Sequence, residues 1–328
     1  MKLDRLSDIT SELSSNLVKS IVLPGSLLEW LTRPLPERLR DKLRAAGAGN
    51  RAGEAEHTQR ATVAGGPLLL MGGMPAPDEA IVAMIHLAGG RSARLAIIPA
   101  AAENCAAAAE AGSKLFTRFG MRGLEVLDLT TRERAESPEW AAKLAAYNAV
   151  CLVGDSETIG LEVLQGTLAV RTLRDMMAAG KPVAALGAAA AIMGDRVVVQ
   201  RGGQDVATEG LGLAPGLVLD SHFTQESRFG RLVKALHSES NSVLMGVGLD
   251  AGAALAIRDG EAKVLGETSV TFLDARDSMT IPDPASAPPG ALGLKVHVLL
   301  DGYTMNLRSR KPMGPSTKET PPHAVGER

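Results

Sequence analysis

Cysteine is nearly missing from this chain: Cys105 and Cys151 are the only two among 328 residues. Two thiols in apolar or Ala-rich surroundings supply neither a disulfide framework nor a thiolate metal site. A surplus of charge is missing too. The 35 Lys and Arg nearly balance the 37 Asp and Glu, for a formal net charge of −2. That balance argues against the basic face a nucleic-acid partner demands. No apolar run approaches the roughly 18 to 20 residues of a membrane span. The N-terminal MKLDRLSDITSEL lacks the apolar stretch of a signal peptide, so a cytoplasmic protein without membrane contact is expected. The glycine pairs at 65–66, 72–73 and 89–90 form neither a dinucleotide fingerprint nor a P-loop. His86, His237 and His297 stand without a second ligand at metal spacing. No metal and no other cofactor are expected.

What is present falls into three stretches. Residues 1–64 mix short helical patterns with breakers. Leu3, Leu6, Leu13 and Leu17 approach helical spacing, with Ser7 and Thr10 as capping candidates. A second segment, from Leu27 to Leu43, is interrupted by Pro34 and Pro36, and Ala45 to Ala64 has the composition of a flexible linker. An apolar helix ahead of such a linker docks either on its own core or on a partner.

From residue 65 to 309 one α/β domain is expected. Leu68–Met71, Leu95–Ile98 (closed by Pro99), Leu124–Leu129, Ala149–Val153 and Val183–Leu186 read as short strands apolar on both faces. Helical segments alternate with them, including one from Leu161 to Ala178. The pattern implies a mostly parallel sheet flanked by helices. After Val197 further strand-like runs follow, with hairpin signals at Asp259-Gly260 and Asp301-Gly302. Antiparallel C-terminal strands would make the sheet mixed. Residues 310–328 form a polar, Pro-containing tail expected to be disordered.

The run Gly210 to Leu232, GLGLAPGLVLDSHFTQESRFGRL, resembles the signature of the cyanophycinase family. There a GLGLLPG-type turn leads into DQHF, then QRxR and GRL. The likeness continues in Gly246-Val-Gly-Leu-Asp250 and Lys263-Val-Leu-Gly266. Upstream, Gly72-Gly73, Ile97-Ile98-Pro99 and Leu152-Val-Gly154 fit the family's earlier blocks, for coverage of roughly residues 67 to 312. The resemblance implies a class I glutamine-amidotransferase-like α/β sandwich. It also implies a serine peptidase that releases β-Asp-Arg dipeptides from cyanophycin, using a Ser on a strand-to-helix elbow, a His base and a Glu partner.

Carried over residue by residue, that triad is incomplete. The family's GTSAGAA elbow corresponds without gaps to Ala185-Leu-Gly-Ala-Ala-Ala-Ala191, which places Gly187 where Ser is required. A two-residue shift places Ala189 there instead. No Ser, Thr or Cys lies between Lys181 and Arg196. His222 matches the base, and Ala251 stands where the family has Glu. A hydroxyl is a weak nucleophile until an imidazole takes its proton and a carboxylate orients that imidazole. The double loss is what a retired site would look like.

The substrate-binding set implied by the resemblance is Asp220, Ser221, Gln225, Arg228, Arg231 and Glu157. The arginines could grip a carboxylate bidentately, or pair with local acids such as Asp220. Glu226 replaces a usual arginine, Ser221 replaces Gln, and the family's GGDQ turn reads Gly154-Asp155-Ser156-Glu157. Ser156 in that turn is a weak candidate for a relocated nucleophile. The expectation is a non-catalytic relative: a partner subunit in a heterodimer with an active paralogue, or a homodimer, or a binder of β-Asp-Arg peptide. An active peptidase with relocated residues is the alternative.

Overall fold

The computed structural model describes residues 23, 25–33, 65–237, 244–281 and 290–315. The first helix, α1 (Gly25–Thr32), precedes an alternating stretch. Strands β1 (Leu68–Met71), β2 (Leu95–Ala101), β3 (Leu124–Val126), β4 (Ala149–Gly154) and β5 (Val183–Gly187) are separated by helices. These helices are α2 (Asp78–Leu87), α3 (Cys105–Thr117), α4 (Arg132–Glu136), α5 (Pro138–Ala145), α6 (Glu157–Leu164) and α7 (Leu168–Ala178). A four-residue helix, α8 (Ala188–Ala191), follows β5 directly.

The chain then turns to strands: β6 (Gly194–Arg201), β7 (Gln204–Glu209), β8 (Ala214–Ser221), β9 (Met245–Leu249), β10 (Ala253–Arg258), β11 (Glu261–Gly266) and β12 (Val270–Asp274). Helix α9 (Phe229–His237) lies between β8 and β9. The last strands are β13 (Met279–Ile281), β14 (Gly290–Leu292), β15 (Lys295–Leu299), β16 (Thr304–Asn306) and β17 (Lys311–Met313).

Two large sheets result. The first has the order β17-β16-β11-β10-β1-β5-β4-β2-β3, and the second β15-β12-β9-β8-β6-β7. Strands β1 to β5 pair in parallel, while β10, β11, β16 and β17 extend the first sheet antiparallel. Alternation along β1 explains why the strand reads as continuously apolar. Leu68 and Leu70 join the core shared with α6, α7 and the inner face of the second sheet (Val197, Leu217, Val247, Phe272). Leu69 and Met71 pack on the opposite side with residues of α1, α2 and α3. Both faces are therefore buried, as a central parallel strand requires. The outer face of the second sheet is covered by α9, through Leu232 and Leu236 against Val198, Val218 and Leu273.

Several expectations are corrected. The expected mixed sheet is there, with β10, β11, β16 and β17 antiparallel, but a second sheet not anticipated stands beside it and includes the β6–β7 hairpin. Pro99 does not close its strand: β2 runs on to Ala101, with a register shift against β4 between Ile98 and Ala101 that absorbs the missing N–H. The helix expected from Leu161 to Ala178 is two, separated at Gly166, whose φ of +73° ends α6. Asp259-Gly260 does close a hairpin, β10–β11. Asp301-Gly302 instead carries the chain from one sheet to the other, since β15 pairs with β12 and β16 with β11. The tail expected from residue 310 onward begins with a strand, because Lys311–Met313 pairs with β16.

The helix over Leu27 docks on the chain's own core. Leu27 and Leu31 are buried among α2 side chains. The Trp30 indole N–H donates to Glu261 Oε2 at 3.1 Å. Arg258 caps the helix's C-terminal end by donating to the carbonyls of Leu31 and Arg33, a cation placed where the helix dipole is negative. The helical pattern from Leu3 to Leu17, the linker at 45–64 and the end of the tail lie outside the described residues. Among the described residues no helix is long and apolar enough to cross a membrane.

Candidate functional site

The site forms where the parallel strands β1, β4 and β5 end side by side. Strand β5 passes into α8 without a loop, and Gly187 is the apex, with φ 67° and ψ −133°. L-residues rarely adopt that conformation. A Cβ at Gly187 would lie 2.7 Å from the Gly154 carbonyl oxygen on the neighbouring strand. A sharp strand-to-helix turn of this kind lifts its apex residue clear of the sheet, as a nucleophile elbow does. Of the two registers left open by the sequence, the apex falls at Gly187, with Ala189 inside the buried helix that follows. The elbow carries no side chain.

His222 follows β8, with a left-handed φ of 48°. Its N–H donates to the Gly72 carbonyl at 3.0 Å, and its own carbonyl accepts from the Glu226 N–H at 3.0 Å. The imidazole lies flat over Gly73, where an added Cβ would be 2.2 Å from Cε1 and 2.5 Å from Nε2. The register Met71↔Leu186 sets Gly72 beside Gly187 across one strand spacing, about 4.8 Å. The histidine thus covers the strand end next to the elbow. Among the described residues its ring makes no hydrogen bond.

Ala251 begins the turn after β9. Its N–H donates to Gln225 Oε1 at 3.2 Å, and its carbonyl accepts from Thr268 Oγ1 at 2.7 Å. Gln225 therefore ties the His222 loop to the 250 loop. The carboxylate nearest in sequence is Asp250, which is buried and fully engaged. Its Oδ1 accepts from the Thr224 N–H (2.9 Å) and hydroxyl (2.8 Å), and its Oδ2 from the Ser269 hydroxyl (2.8 Å). Sequence reading passed over this clasp, although Asp250 stood within the quoted motif. The partners Thr224 and Ser269 carried no periodic or motif signal.

A charged cluster occupies the other flank. Asp220, 1% exposed, accepts from Arg231 Nε at 2.6 Å and from Arg228 Nη1 at 3.0 Å. Glu157 Oε1 stands 3.1 Å from Arg228 Nη1 and 3.5 Å from Arg231 Nη2. Glu226 takes the Nε of Arg228 at 2.9 Å. Three carboxylates on two guanidiniums leave one negative charge in surplus. Burial pushes the Asp220 carboxyl up, while Arg231 and Arg228 pull against it. Ser221, the last residue of β8, is buried beside Asp220.

Ser156 is spent on secondary structure, accepting from the Ile159 N–H at 3.4 Å as the cap of α6. Asp155, where the family places glycine, has no positive φ, and its Oδ1 accepts from the Glu103 N–H at 3.0 Å. Glycine is needed one residue earlier: a Cβ at Gly154 would fall 1.9 Å from the Ala101 carbonyl oxygen.

The architecture and this strand-end arrangement define an α/β peptidase scaffold. The profile of Peptidase family S51 matches residues 68–265, and the chain belongs to that family. A cyanophycinase from Trichormus variabilis is 31% identical over 236 residues, 68% of this chain and 78% of the relative. A cyanophycinase from Synechococcus elongatus is 30% identical over 237 residues, 68% and 73% of the two chains. The crystal structure of a peptidase from an acI-B1 Actinobacterium superposes with a TM-score of 0.56. It is 21% identical and covers 74% of this chain and 97% of that one, a likeness of fold.

Proposed function

We propose that this chain is a non-catalytic cyanophycinase-like protein that serves in the cytoplasm as the partner subunit of a catalytically intact copy. The observation that carries the reading is Gly187: the elbow keeps a backbone conformation that L-residues rarely adopt, next in register to the strand end that His222 covers, yet bears no hydroxyl. An imidazole without a nucleophile to deprotonate cannot open an amide by acyl transfer. Ala251 removes the orienting carboxylate as well, and Asp250 is already engaged by three donors. Loss of the nucleophile alone costs on the order of 10⁶ in kcat in a serine peptidase.

Partner over ligand is favoured by the arginines. Arg228 and Arg231 are bound to Asp220 and Glu157 of their own chain and are not free to grip a substrate carboxylate. The decisive experiment incubates the pure protein with cyanophycin. No β-Asp-Arg release is expected, whereas turnover abolished by Ser156→Ala would restore the reading of relocated chemistry. Co-expression with an intact cyanophycinase should yield a stable heterodimer; two proteins that elute apart would rule out the partnership.

A second reading, a β-Asp-Arg sensor, is favoured by the surplus negative charge at the cluster, which suits a ligand guanidinium. Calorimetry with the dipeptide separates the two, since a pure partner subunit gives no binding heat at millimolar ligand.

A further inference from the structure

On the far side of the second sheet, away from the strand ends, a serine and a histidine meet outside the site described above. His237 is the last residue of α9. Its Nδ1 lies 2.9 Å from the Val233 carbonyl oxygen and its Nε2 2.8 Å from Ser278 Oγ. A ring nitrogen facing a carbonyl must carry the proton, so in neutral His237 the proton sits on Nδ1 and Nε2 is a base. The Ser278 hydroxyl has one proton, for which that nitrogen and the Ala275 carbonyl, also at 2.8 Å, compete. This is a nucleophile against a base, with the base oriented by a third group. Both residues are half-buried.

The surroundings suit an apolar acyl group. Met279, next to Ser278, is 66% exposed. Val296 on β15 pairs with Leu273, whose side chain packs on α9, so Val296 faces the same side and is largely exposed there. The charged groups on the elements that meet here are Arg231 and Lys234 of α9, Asp274 of β12, Arg276 and Asp277 after it, and Lys295 of β15. Arg276 is held on Asp274 and Lys295 on Asp277.

We infer that Ser278 and His237 form a second nucleophilic pair, independent of the elbow, which takes the acyl group of small carboxylic esters with apolar acyl chains. Ser278 Oγ bonds to the ester carbonyl carbon while its proton passes to His237 Nε2 and the carbonyl π electrons move onto oxygen. The tetrahedral adduct collapses, the C–O bond to the leaving group breaks, and the departing alkoxide takes the proton from His237. Water, deprotonated by the same nitrogen, then attacks the acyl-serine; the carboxylic acid leaves and Ser278 recovers its proton. The Ser278 N–H is spent on the Ala275 carbonyl at 3.1 Å and steadies neither tetrahedral adduct; with an activated ester, whose leaving group departs readily, acylation outruns deacylation and the acyl-serine accumulates.

The test mixes the full chain with p-nitrophenyl acetate and, separately, with a fluorophosphonate probe. Expected are a burst of about one equivalent of p-nitrophenol and a probe-modified peptide containing Ser278. Ser278→Ala removes both, and His237→Gln slows the burst by about 10²-fold or more. No burst, a burst unchanged in Ser278→Ala, or a label on another residue overturns the inference. Ser278→Cys guards against a folding defect in the alanine variant. Its thiol should react with iodoacetamide at neutral pH at least about tenfold faster than free cysteine, and a rate equal to free cysteine refutes the pairing.

Discussion

The two flanks of the strand-end site differ in what they keep. On the elbow side the backbone is preserved to close tolerance: Gly187 in a left-handed turn, Gly154 against Ala101, and the His222 ring flat on Gly73. That flank keeps the imidazole but carries neither a hydroxyl at Gly187 nor a carboxylate at Ala251. On the other side Asp220, Arg228, Arg231 and Glu157 keep their charged groups, but these satisfy one another. The backbone geometry at the elbow does not depend on a side chain at its apex, because neighbouring strands pack against it. A buried charge survives because removing one partner strands the others.

The sharpest way to break this comparison is Asp220→Ala. It leaves two guanidiniums, 15% and 10% exposed, with Glu157 shared between them and Glu226 on Arg228 only. The expected loss is about 3–5 kcal/mol, read from urea denaturation. A loss under about 1 kcal/mol would mean that water already satisfies the arginines and that they are free for a ligand.

Gly187→Ala probes the elbow flank, with a smaller effect. The cost of an L-residue in this conformation is about 1–3 kcal/mol, and the new Cβ must also clear the Gly154 oxygen. A neutral or stabilising result would show that the turn relaxes, and that its strain is no inheritance of a nucleophile site. Gly187→Ser should cost about the same. It should release no dipeptide from cyanophycin unless Ala251→Glu is added, because the imidazole otherwise lacks its orienting acid.

Asp274 offers a second carboxylate with two arginines, remote from the site. Burial pushes its carboxyl up, but hydrogen bonds from Arg276 and Arg310 overcome this and hold it well below the usual carboxylate range. Asp220 is moved the other way. Desolvation outweighs the arginines at Asp220 and is outweighed at Asp274, where the Arg276 backbone N–H adds a further hydrogen bond at 3.2 Å. A depressed folded value stabilises above the unfolded value of about 3.9, and that stability is lost as pH falls further. Asp274→Asn should cost about 1.5–3 kcal/mol at pH 7, with the difference from wild type shrinking steadily below about pH 4. A difference independent of pH would remove the charge from the account.

Much of this was legible in the sequence, and the reasons are physical. Strands β1, β4 and β5 are buried on both faces, so their apolar runs announce a covered parallel sheet. The missing hydroxyl at the elbow could be read directly, because absence of a residue type needs no geometry. The second sheet was harder to see. Strand β7 is half-exposed along most of its length, and hairpin signals such as Asp301-Gly302 do not say which sheet each strand will join. The pairing of His237 with Ser278 joins residues 41 apart through tertiary structure alone. The engagement of Arg228 and Arg231 by Asp220 was one of two open readings until the side chains met.

The smallest expected effect sharpens the claim that no nucleophile adjoins the elbow. Cys151 lies on β4, paired with Ala184 of β5, three residues before the Gly154 that faces Gly187. It is the thiol nearest in register to the missing serine. It is buried, and burial pushes its thiol up to about 12, so at pH 8 it carries almost no thiolate. Cys105, half-buried at the start of α3, is the accessible one. Titration with an aromatic disulfide reagent at pH 8 should therefore release about one equivalent from the native protein and a second only after denaturation. Two equivalents released rapidly from the native state would mean that the β4–β5 seam opens to solvent. A cysteine would then stand within range of the elbow, and the contrast between a preserved backbone and absent chemistry would fail at its nearest point.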